Sequence, residues 1–112
     1  MVVGKHLLVD VDGIRDTSKL TRLEDVDPLM NSIIEACKLN VVGMCSHQFQ
    51  PIGCTLLYLL AESHFSIHTF PERGSCSIDL FTCNLETDFD LVLEEIYHFF
   101  GEPIIIKRIY NR

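Results

Sequence analysis

Positive charge is scarce in this chain: nine basic residues stand against sixteen acidic ones among 112, a formal charge of −7. That balance argues against a nucleic-acid surface, because following phosphates takes clustered Lys and Arg. Long apolar runs are also missing. None approaches the roughly 18–20 residues of a membrane span, and Met1-Val2-Val3-Gly4-Lys5 lacks a signal-peptide layout, so a cytoplasmic protein off the membrane is expected. No linker, repeat or low-complexity segment interrupts the chain. The five cysteines (Cys37, Cys45, Cys54, Cys76, Cys83) are odd in number and form no C-x-x-C pair, which disfavours a disulfide scaffold or a zinc ribbon and leaves reduced thiols.

What remains is a 47% hydrophobic chain of one domain's length, residues 1–112. Gly4 to Val11 reads as a strand ended by Asp12-Gly13, and Arg15 to Glu24 as a loop. Asp27-Pro28 opens an amphipathic helix in which Leu29, Met30, Ile33, Ile34 and Cys37 recur at helical spacing until Asn40. Val41–Phe49 and Cys54–Ala61 read as strands joined by Gln50-Pro51-Ile52-Gly53, a type I turn pattern. Ser63–Phe70, Cys76–Cys83 and Pro103–Tyr110 are further strands, and Thr87 with Asp90 resembles a capping box for a helix running to Phe100. The predicted order β-α-β-β-β-β-α-β describes an α+β domain of two layers, an antiparallel sheet with two helices. Leu56-Leu57-Tyr58-Leu59-Leu60 is apolar at both parities, which asks for cover on both faces of the sheet, yet two helices cover only one.

Polar chemistry concentrates just after that run, in Glu62-Ser63-His64-x-x-Ile67-His68-Thr69-x-Pro71-Glu72, followed by Ile78-Asp79-x-Phe81-Thr82-Cys83. These residues resemble the short prokaryotic-type S-adenosylmethionine decarboxylase proenzymes. The resemblance implies a chain that cuts itself between Glu62 and Ser63 into residues 1–62 and 63–112, turning Ser63 into a pyruvoyl cofactor. It also implies an αββα sandwich formed when two copies bring their sheets face to face.

By the same resemblance, Ser63 attacks the Glu62 carbonyl and His68 removes the Ser63 α-proton, a task that suits an imidazole titrating near neutrality. Cys83 matches the thiol that reprotonates the substrate carbon after CO₂ leaves. Thr55 stands where relatives usually carry a serine that assists processing, keeping the hydroxyl but adding a stiffer rotamer. Glu72 matches the carboxylate that binds the ribose hydroxyls, Phe49 a ring that stacks on adenine, and Phe70 a position often held by tryptophan. Asn84 replaces a glycine common after the cysteine, at a place where Asn tolerates a positive φ. The pyruvoyl carbonyl would form a Schiff base with the substrate amine, work done elsewhere by pyridoxal phosphate, with no metal required. Each site is expected to be shared, since Ser63 and His68 are five residues apart and fall on opposite faces of an unbroken strand.

Three competing readings are weighed against this one. His47, His64, His68 and Cys83 lack tight metal-ligand spacing. Relatives with the same self-cleaving core decarboxylate arginine or ornithine, but a basic amino acid offers Glu72 no ribose diol. An uncleaved regulatory partner has no need of Ser63, His68 and Cys83 together.

Overall fold

The computed structural model describes all 112 residues. Its elements run β1 (Lys5–Asp12), α1 (Leu23–Ala36), β2 (Val41–Gln48), β3 (Cys54–Leu60), β4 (Ser63–Phe70), β5 (Ser75–Thr82), α2 (Phe89–Phe99) and β6 (Ile104–Asn111), with 3₁₀ turns at Thr17–Leu20 and Pro71–Arg73. The six strands form one antiparallel sheet in the order β2-β3-β4-β5-β1-β6. This is the α+β architecture, and the element order, expected from the alternation of apolar segments. No helix is long and apolar enough to cross a membrane.

Period-two side-chain alternation sorts the sheet into two faces. One buries Leu7 and Val9, Leu56 and Tyr58, Phe65 and Ile67, and Ile78 and Leu80 against Val26, Leu29, Met30 and Ile33 of α1 and Val92 and Ile96 of α2. Truncating one of these to Ala costs about 2–5 kcal/mol. The other face carries no element of this chain. Strand register lays it out in rows: Leu59, His64, Phe81, His6 and Tyr110, then Leu57, Ser66, Asp79, Leu8 and Arg108, then Thr55, His68, Ser77, Asp10 and Ile106. A polar centre is flanked by exposed Leu57, Leu59, Ile106 and Tyr110.

Three local expectations are corrected. α1 begins at Leu23 rather than Asp27, because the Asp25 carboxylate accepts from the Arg22 N–H (2.9 Å) and Gln48 Oε1 accepts from the Leu23 N–H (2.9 Å). Pro28 therefore lies inside the helix and forgoes one helical hydrogen bond. The cap of α2 is Asp88, whose side chain accepts from the Asp90 N–H (2.9 Å), while Thr87 is buried. Residues 50–53 do not close with the hydrogen bond of a type I turn: the Gly53 N–H donates to Thr21 O (2.9 Å), and Gly53 O accepts from the Phe49 N–H (2.8 Å).

Candidate active site

β3 and β4 are joined by only Ala61 and Glu62, with Leu60 paired to Ser63. The Glu62–Ser63 peptide thus sits at a hairpin tip, held in place by the sheet on one side and open on the other. Antiparallel pairing with β5 brings the end of that strand alongside, and Cys83 brackets the bond. Its backbone N–H donates to Ser63 Oγ (3.1 Å), and its thiol donates to the Glu62 carbonyl oxygen (3.0 Å). The hydroxyl, the carbonyl it would attack and a donor for the developing oxygen are together, as acyl transfer requires. A cavity of about 530 Å³ opens here, with Lys38, Asn40, Asn84 and Thr87 also in its wall.

Asn84 has no positive φ, so a glycine is not needed there for backbone reasons. Its N–H donates to Thr82 Oγ1 (3.1 Å) and its side-chain oxygen accepts from the Glu86 N–H (3.0 Å), which ties down the loop behind Cys83.

A second group forms at the other end of the β3–β4 hairpin. Thr55 and His68 face each other across the ladder, and Thr55 Oγ1 lies 3.0 Å from His68 Nδ1, in position to orient the exposed ring. Phe49 stacks edge-on against His47 (4.7 Å between ring centres), and Phe49 and Phe70 are half exposed. The Gly53 backbone packs beside Phe49 and Pro71, so the 49–53 loop and the Pro71–Arg73 turn that presents Glu72 are neighbours.

Ser63 and His68 do not meet within the chain. β4 pairs without a register shift, so Ser63 lies on the helix face and His68 on the open one. At about 3.3 Å per residue they are roughly 17 Å apart along the strand. The suggested donors His47, His64, His68 and Cys83 are likewise dispersed: His64 turns toward His6 and Asp79 instead.

All five cysteines are free. Burial, with smaller contributions from Asp10 and Cys54, pushes the Cys76 thiol up to about 12, which suits a packing role. Asp79 lies within the sequence motif, but the motif assigns it no role. Its signal is a carboxylate in the otherwise apolar Ile78-Asp79-Leu80-Phe81 run, but its partners come from distant β1 and β4. Burial works to raise its pKa and is outweighed by hydrogen bonds from Ser66, His6 and His64, which hold it below the ordinary carboxylate value.

A six-stranded antiparallel sheet with two helices on one face, carrying at a hairpin tip a Glu-Ser bond that a cysteine contacts from both sides, defines a class of two-layer α+β protein with a serine and a thiol gathered on one peptide bond. Residues 5–112 match the family model described as S-adenosylmethionine decarboxylase. The chain is 42% identical over 110 residues to the S-adenosylmethionine decarboxylase proenzyme of Aquifex aeolicus, covering 98% of this chain and 81% of the relative. It is 36% identical over 99 residues to the proenzyme of Archaeoglobus fulgidus, covering 85% of this chain and 88% of that one. The crystal structure of adenosylmethionine decarboxylase from Aquifex aeolicus superposes with a TM-score of 0.88 and 32% identity in the structural alignment, over 99% of this chain and 91% of the other. The chain belongs to the S-adenosylmethionine decarboxylase family.

Proposed function

We propose that the chain is a proenzyme that cuts itself between Glu62 and Ser63 and then decarboxylates S-adenosylmethionine, yielding the aminopropyl donor for spermidine synthesis. The observation that carries this reading is the clasp of Cys83 on Ser63 Oγ and the Glu62 carbonyl. Ser63 Oγ attacks the Glu62 carbonyl carbon, the thiol of Cys83 stabilises the oxygen as charge develops, and collapse transfers the acyl group from nitrogen to oxygen. Removal of the Ser63 α-proton by an imidazole breaks the Cβ–O bond and frees residues 1–62 with a new carboxylate. The dehydroalanine left on residue 63 tautomerises and takes up water to give a pyruvoyl group and ammonia.

The residues present fit that group, because the serine lies in a cavity wide enough for a substrate and next to a proton donor. Once formed, it supplies an electron sink at the substrate's α-carbon. Cys83 would return a proton to that carbon after CO₂ leaves, a role supported by its contacts with Ser63 and the Glu62 carbonyl. Glu72 would accept from the two ribose hydroxyls, and Phe49 and Phe70 would pack on adenine.

His68, Thr55, Phe49 and Glu72 lie at the wrong end of the chain to serve its own Ser63, and the open sheet face has apolar flanks left uncovered. Both facts support a face-to-face homodimer of αββα form, in which the hairpin tip carrying Ser63 and Cys83 of one copy lies beside those four residues of the other, the site closing around the tip at the rim of the stacked sheets rather than between their faces. The free thiols fit a reducing compartment, and we place the enzyme in the cytoplasm. Side-by-side assay of CO₂ release from carboxyl-labelled S-adenosylmethionine, arginine and ornithine tests the substrate. Release from the nucleoside compound alone is expected, and release only from an amino acid would overturn the assignment.

A further inference from the structure

The open face holds a donor cluster that the proposed chemistry does not use. Imidazoles from β1 and β4, the strands on either side of β5, reach over that strand toward one carboxylate: His6 Nε2 lies 2.7 Å and His64 Nε2 2.9 Å from Asp79 Oδ2. All three ligand atoms lie within 4.8 Å of one another. The two rings stand perpendicular with centres 5.6 Å apart, so their Nε2 edges converge instead of stacking. Ser66 Oγ donates to the other oxygen of Asp79, leaving Oδ2 aimed at the imidazoles. Phe81 lies against both rings and supplies an apolar wall.

We propose that His6, His64 and Asp79 form a binding site for a first-row divalent cation of the zinc type. Two imidazoles and one carboxylate, with the carboxylate oriented by an outer hydroxyl, are the donor set and second shell that such ions take. The present N···O distances are those of N–H···O hydrogen bonds, so the ion-free cluster is held by two protons. Binding moves each ring proton to Nδ1 or to solvent and leaves both Nε2 lone pairs for the metal. An ion about 2.0–2.2 Å from each donor needs donors roughly 3.3 Å apart, so each imidazole retreats by about half an ångström. The fourth position faces away from the sheet, open to water or to a group on a covering surface. The bound ion would tie β1, β4 and β5 together. It would join residues on both sides of the proposed cut, yet it requires neither the cut nor the decarboxylase reading.

The test is a calorimetric titration of chelator-treated full-length protein with Zn²⁺ alone, and with Co²⁺ followed by absorption. The uncut Ser63→Ala variant is run beside wild type, so that a failure of self-cleavage does not affect the result. One ion per chain is expected, with affinity at least tenfold weaker in His6→Gln and Asp79→Asn, and a tetrahedral Co²⁺ spectrum free of thiolate charge-transfer bands. If a variant loses its fold, judged by circular dichroism, the wild-type cobalt spectrum still separates this cluster from a cysteine site. No saturable binding, thiolate bands, or unchanged affinity in folded variants would overturn the proposal.

Discussion

Cys83 does two things at once in the uncut chain, because its backbone fixes the Ser63 hydroxyl and its thiol touches the carbonyl that hydroxyl would attack. Cys83→Ala keeps the backbone donor and loses the thiol. Cleavage should continue but slow by about 100- to 1,000-fold, the scale of losing one oxyanion donor. Decarboxylation per cut chain should fall on the order of 100-fold or more for want of its proton donor. Separate time courses of chain cutting and CO₂ release check this, and an unchanged CO₂ release per cut chain would mean that the thiol has no role after cleavage. Tyr58 gives a pH prediction. Burial, then the charge of Asp27 and the hydrogen bond to its carboxylate (3.2 Å), push this phenol up to about 12 from an ordinary 10. The unfolded chain releases that proton first, so the stabilisation is intact below about pH 10 and is lost as pH rises toward 12. Tyr58→Phe should flatten the fall in thermal midpoint over that window, although it is less stable at neutral pH by about 1 kcal/mol for the lost hydrogen bond.

At the scale of elements, alternation and helical period placed every strand and both helices, because burial of one face is written locally in each segment. The boundaries were less legible. The start of α1 depends on Gln48, 25 residues downstream, accepting from Leu23, and no local pattern shows that bond. Residues 50–53 fail to close as a type I turn for the same reason, since Thr21 takes the Gly53 N–H. The turn carrying Glu72 closes at Gly74, whose φ is +61°, and an added Cβ would lie 2.8 Å from Ile14 O. That oxygen belongs to backbone already tied down by the Ile14 N–H donating to Gly74 O (3.0 Å), so it has little room to yield. Gly74→Ala should cost about 1–3 kcal/mol in urea unfolding and raise KM more than it lowers the cleavage rate, as Glu72 shifts. A neutral substitution would show that the turn relaxes freely.

For the whole molecule, the family and its motif were readable because Glu62-Ser63-His64 and Phe81-Thr82-Cys83 are contiguous. The His6, His64 and Asp79 cluster was not, since register alone assembles it from three strands. The doubly apolar β3 and the five-residue spacing of Ser63 and His68 pointed to a second copy, and the unshifted ladder of β4 keeps those two side chains on opposite faces. Co-expressing Ser63→Ala with His68→Ala chains should restore cutting of the His68→Ala chain in mixed dimers, because one of their two sites holds both wild-type groups. Mixed dimers without cutting would place Ser63 and His68 in one chain's own site. Most direct for the central claim is the intact mass of the purified wild-type protein. Two fragments are predicted, residues 1–62 ending in a free carboxylate and residues 63–112 beginning with a pyruvoyl group. A single full-length chain after prolonged incubation would contradict self-cleavage and, with it, the proposed enzyme.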